Sequence, residues 1–139
     1  MRSPAILLCS ALLAISPGAS AWQTEEPGIG PVCLYAMVSL GEEIGKRCSN
    51  LHDERIQAVM SASVQKLDAY FAKGGWTAEQ MATFKRKQAR VGVPDPEGLL
   101  CKGDAVSFYP ESEAAAAQVV ALTDRIVSKP RPLEWGDCL

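Results

Sequence analysis

Four cysteines, Cys33, Cys48, Cys101 and Cys138, constrain the fold of this chain more than any other feature. What they mean depends on the N-terminus. Met1-Arg2 is a short positive start, Ala5 to Ile15 is a compact apolar run, and Pro17-Gly18 breaks it before the small residues Ala19-Ser20-Ala21. That pattern predicts a secretory signal peptide over residues 1–21, removed before Trp22. The run is too short for a membrane-spanning helix, which needs about 20 residues. Cys9 lies inside it and leaves with it. The other four cysteines then sit in an oxidising periplasmic or secreted setting, where an even, dispersed set forms disulfides.

The remaining chain, residues 22–139, has the size of one domain and can build a core without metals. The whole sequence has 14 basic and 16 acidic residues, a net charge of −2. A dedicated nucleic-acid binder would show a basic excess, so nucleic acid is not an expected partner. No second apolar run reaches spanning length, and no membrane insertion is expected after cleavage.

Helical periodicity organises nearly all of this region, and no segment sustains the period-2 alternation of a strand. Residues 22–31 read as a flexible lead-in. A first helix is expected from Val32 to Arg47, with Cys33, Met37, Leu40, Gly41, Ile44 and Cys48 on one apolar stripe. Gly41 and Gly45 weaken it by about 1 kcal/mol each, a cost that close approach of a neighbour would explain. A second helix is expected from Leu51 to Lys73, capped by Ser49-Asn50, with Ile56, Val59, Met60, Ser63, Leu67, Tyr70 and Phe71 inward. The third start is the clearest: Thr77 and Gln80 form a capping box, and Trp76 can staple onto Met81. This helix should continue to Arg90, with Met81, Phe84, Gln88 and Val91 facing inward.

Asp95-Pro96 supplies cap and first-turn chemistry for a fourth helix to Tyr109. Gly98 and Gly103 within it leave two readings, a core helix or a partly irregular segment. Ser112 to Ser128 reads as a fifth helix and residues 129–139 as an extended tail. The expected fold is thus all-α: a single up-down bundle of about five helices within residues 32–139, stapled by two disulfides.

Geometry restricts the pairing. Along a continuous helix, Cys33 and Cys48 are about 22 Å apart, whereas a disulfide tolerates Cα atoms only about 7 Å apart. In an up-down bundle the fourth helix starts beside Cys48, which favours Cys48–Cys101. Cys33–Cys138 then follows if the tail runs back along the bundle; its nine residues from Pro130 can cover about 30 Å. Cys33–Cys101 with Cys48–Cys138 is the alternative.

Catalytic and metal motifs are missing. There is no C-x-x-C for thiol exchange or haem attachment, and no short-spaced Cys/His set for zinc. The single histidine, His52, has no nucleophile motif with it and reads as a hydrogen-bonded structural side chain. Glu42-Glu43 and Asp53-Glu54 are adjacent pairs whose side chains diverge on a helix, unlike a hydrolase's facing carboxylates. No cofactor is called for. Lys85, Arg86, Lys87 and Arg90 form the one dense basic cluster. It reads either as a solvated helix face or as a contact for an anion or an acidic partner. The expected function is non-enzymatic binding of a protein partner, of the inhibitor, immunity or accessory-subunit type. A stress-protective chaperone-like protein and a small-ligand carrier or enzyme with an inter-helix cavity are the alternatives.

Overall fold

Pro31 opens the first helix where its missing N–H costs nothing, and Lys46 and Arg47 close it where cations suit the dipole. This helix, α1 (Pro31–Arg47), is central in the computed structural model, which describes residues 28–138. The expected signal peptide and most of the lead-in lie outside the described residues. Burial of α1 is not confined to one stripe. Cys33, Leu34, Tyr35, Val38 and Ile44 are all buried, whereas Met37 and Leu40 are only partly so. Even Glu42 and Glu43 are buried, each neutralised four residues on, by Lys46 at 2.9 Å and Arg47 at 2.6 Å. A central helix touches neighbours all round, which a one-sided periodicity cannot express.

The second helix, α2 (Glu54–Lys73), is capped by Asp53 rather than by Ser49-Asn50. The Asp53 carboxylate accepts from the backbone N–H groups of Arg55 at 2.9 Å and Ile56 at 3.1 Å. Its buried face, Ile56, Met60, Ser63, Val64, Leu67 and Phe71, packs antiparallel to α1. Tyr35 near the start of α1 meets Asp68 and Phe71, while Glu42 near its end meets Ser61. The third helix, α3 (Ala78–Ala89), has the expected capping box between Thr77 and Gln80. It ends at Arg90 in the left-handed conformation and runs parallel to α1, so that Arg47 donates to the carbonyls of Val93 and Arg90.

The fourth expected helix is not an α-helix. Gly98 and Gly103 adopt positive φ, 63° and 64°, and Lys102 is extended, so helical hydrogen bonding cannot continue through them. Two 3-10 segments result, Leu99–Cys101 and Gly103–Phe108. Asp95 caps no helix at Pro96; it opens a turn in which its carbonyl accepts from the Gly98 N–H at 3.0 Å, and its carboxylate accepts from the N–H groups of Leu99 and Leu100 at 3.0 and 2.9 Å. The segment stays at the Cys48 end of the bundle. Tyr109 hydrogen-bonds the backbone N–H and carbonyl of Asp53 through its hydroxyl, both at 3.1 Å.

The last helix, α4 (Glu113–Val127), capped by Ser112, therefore starts at that end and runs parallel to α2. Arg55–Glu113 at 2.8 Å, Lys66–Asp124 at 2.5 Å and Tyr70 Oη donating to the Lys129 carbonyl at 3.0 Å mark its course. The fourth of the five expected helices is thus corrected: among the described residues four α-helices alternate in direction, and a 3-10 connector between the third and the last turns at one end instead of crossing.

Both favoured disulfides are formed, Cys33–Cys138 with Cα atoms 5.6 Å apart and Cys48–Cys101 with 5.4 Å. The route to the first differs from the expected one. Because α4 descends beside α2, it delivers the tail directly to the Cys33 end, and no run back along the bundle is needed. There the tail pairs with residues 28–32. Gly30 and Val32 donate backbone N–H groups to the carbonyls of Trp135 and Glu134, each at 3.1 Å. Ile29 and Gly136 form an isolated antiparallel bridge.

Candidate functional site

Aromatic residues scattered along the sequence converge where α1, α2, α3 and the tail meet. Tyr35 stacks between Phe71, centroids 4.5 Å apart, and Phe84, 5.2 Å apart. Trp76 meets Phe71 at 4.8 Å and Phe84 at 5.3 Å, both edge to face, the arrangement ring quadrupoles favour. Trp135 of the tail completes the series, 5.9 Å from Phe84. Tyr35 and Phe71 are fully buried, Trp76 and Phe84 partly so, and Trp135 is 45% exposed.

A polar network closes the inner side. The Tyr35 hydroxyl donates to Asp68, and Lys85 Nζ reaches both Asp68 oxygens at 3.0 Å. The Lys85 ammonium also lies 5.9 Å from the Tyr35 ring centroid. Burial first, then the hydrogen bond to Asp68 and that carboxylate's charge, hold the Tyr35 phenol far above its ordinary range. It keeps its proton and acts as a donor, the opposite of a general base.

This network divides the basic cluster. Lys85, expected on a solvated face, turns inward to Asp68. Ala89 is the fully buried residue of α3, and Gln88, expected inward, is exposed. Arg86, Lys87 and Arg90 remain exposed. Arg90 lies close enough to Asp95 to help hold that carboxyl below its usual value, after the larger effect of the Leu100 N–H bond. Arg86 and Lys87 have no ion-pair partner among the described residues. Beside them is a shallow hollow of about 390 Å³, lined by Trp76, Glu79, Gln80, Thr83, Phe84 and Lys87. Lys87 thus joins the cluster to the aromatic series.

A second concavity lies between α1 and α4, about 260 Å³ in volume. Leu34, Met37, Val38, Met60, Phe108 and Val119 line it, with Ser107 and Gln118 as its polar groups. It opens because α4 leans on α2 and leaves Met37 half-covered.

His52 precedes α2 instead of lying in its first turn. Its Nδ1 donates to the Gly45 carbonyl at 2.8 Å, consistent with the structural role expected. Among the described residues no group of three or more His, Cys, Asp or Glu side chains could hold a metal ion. Among the same residues no helix is long and apolar enough to cross a membrane. The four cysteines are all consumed in disulfides.

Sequence reasoning found the cations but missed the hollow beside them. The local signal at Trp76 is a staple onto Met81, and the neighbour it shares with Trp135, Phe84, is a tertiary fact. A tryptophan beside a cysteine near the chain end was the available signal. Comparison of the chain with protein-family models, with curated proteins and with solved structures finds no match.

Proposed function

We propose that this is an exported, non-catalytic binding protein of the inhibitor, immunity or accessory-subunit kind, which captures an acidic protein surface with the outer face of α3. The observation that carries this reading is the division of the basic cluster. Lys85 is neutralised internally, whereas Arg86 and Lys87 have no ion-pair partner among the described residues and stand next to a hollow with aromatic walls. Aromatic and arginine side chains are the residues most enriched where binding energy concentrates. Two disulfides and the apolar leader favour the periplasm or the exterior as the place of action.

The test compares the wild-type protein with Arg86→Glu/Lys87→Glu and with a control reversal elsewhere, Lys73→Glu/Arg131→Glu. Each is immobilised with its disulfides intact and offered the native extracytoplasmic fraction. A protein retained by wild type and control, lost with the α3 reversal, and bound at least tenfold more weakly by that variant once purified is the expected result. Retention that is equal in all three rejects the reading.

The α1–α4 groove favours a second reading, a carrier for a small apolar ligand. Its volume of about 260 Å³ lies just below the usual range for small-molecule sites, about 300–1,000 Å³. Native mass spectrometry of protein purified from its own source tests it: a stoichiometric bound mass supports a carrier, and its absence rejects one.

A further inference from the structure

We infer that the α3 face takes a protein segment with one large apolar side chain and an Asp or Glu two or three residues to one side of it. This rests on the binding reading above and specifies the partner. The hollow has aromatic walls, Trp76 and Phe84, and a polar rim, Glu79, Gln80, Thr83 and Lys87. At about 390 Å³ and open to solvent, it suits one side chain laid against the rings. Trp135, against Phe84 and 45% exposed, extends the apolar surface.

The charges give the segment a direction. Lys87 lies one turn beyond Thr83 along α3, about 6 Å, and Arg86 stands beside it. In an extended partner about 6–10 Å corresponds to two or three residues, which sets the distance from anchor to acid. Glu79 sits on the rim at the other end of the hollow, so acidic residues are favoured toward Lys87 and disfavoured toward the start of α3. Arg86 and Lys87 are adjacent in sequence and diverge by about 100° around the helix. They do not converge on a single phosphate and are better matched by separate carboxylates of a chain. Two cations with a glutamate on the rim are also a poor footprint for nucleic acid, whose affinity comes from many phosphate contacts.

Panning a random displayed-peptide library on the disulfide-intact protein tests this. Counter-screens use Arg86→Glu/Lys87→Glu and Thr83→Tyr, which fills the hollow from an exposed position. Near-ultraviolet circular dichroism checks that each variant is folded. The expected winners carry an aromatic or large aliphatic residue with Asp or Glu two or three positions away on one side. Their synthetic versions should bind at least tenfold more weakly when the anchor is Gly, when the charges are reversed, or when Tyr fills the hollow. Acidic winners with no apolar preference, binding Thr83→Tyr as well as wild type, overturn the anchor and leave the acidic-partner reading standing. Winners that bind the charge-reversed protein undiminished overturn both.

Discussion

Replacing Gly41 with Ala should destabilise the protein, although alanine is the better helix former. In an exposed helix interior the change would gain about 1 kcal/mol. Here the added Cβ would drive into the backbone carbonyl oxygen of Phe108 and stand 2.6 Å from Met60 Cε. The methionine end can rotate, but it is almost fully buried. The carbonyl cannot move alone, because it belongs to the 3-10 connector. That connector is tied at Cys101 to Cys48 and at Tyr109 to Asp53. Forcing a methyl group into backbone that cannot move takes the upper part of the usual overpacking range, about 2–3 kcal/mol. Set against the propensity gain, the net is a loss of about 1–2 kcal/mol. For a domain of this size that corresponds to a fall in Tm of about 4–10 °C. Thermal and urea unfolding followed by circular dichroism, with both disulfides intact, measures it. A Tm raised by several degrees would refute the close approach of the connector to α1.

Three further outcomes follow from the same geometry. Removing Cys48–Cys101 as a double alanine variant should cost about 4 kcal/mol and removing Cys33–Cys138 about 5, from loops spanning 53 and 105 residues. Only the second should also alter tryptophan fluorescence through Trp135; equal spectral changes would contradict the tail's placement. An unfolded tyrosine ionises near 10.0, whereas folded Tyr35 stays protonated well above that, so its contribution is complete below pH 10 and is lost as pH rises beyond it. Tyr35→Phe should cost about 1.5–3 kcal/mol at neutral pH by losing a hydrogen bond to a charged acceptor. It should also flatten the alkaline fall in urea stability between pH 9 and 11; an unchanged alkaline slope would count against the network. Asp95 is held below its ordinary 3.8, chiefly by the N–H of Leu100. Its contribution is therefore present above about pH 4 and fades as pH falls further, and Asp95→Asn should remove that part of the acid dependence.

The fold was legible wherever a local signal decided the outcome. Thr77 and Gln80 specify the start of α3 within four residues, and the Cys33 to Cys48 distance excludes one pairing by helix geometry alone. The path of the chain was less legible. Gly98 and Gly103 left the connector as either a core helix or a partly irregular segment, and whether it crossed the bundle depended on Phe108 and Tyr109 docking at Gly41 and Gly45. That docking reverses the direction of α4 and still brings Cys138 to Cys33, so a correct pairing followed from an incorrect route. Lys85 shows the same limit at the candidate site. Helical angle grouped it with Arg86 and Lys87, yet its long side chain reaches Asp68 on α2, a partner 17 residues away that no periodicity reveals.

A partner held on the outer face of α3 needs no chemistry at the buried Tyr35–Asp68–Lys85 network. Amide hydrogen exchange, read with and without the best peptide from the library, tests where the contact lies. Slowed exchange over residues 78–90 and along the tail near Trp135, with the α1–α4 groove unchanged, is the expected result. Protection confined to residues 34–38 and 115–122 would contradict it and place the binding surface in the groove.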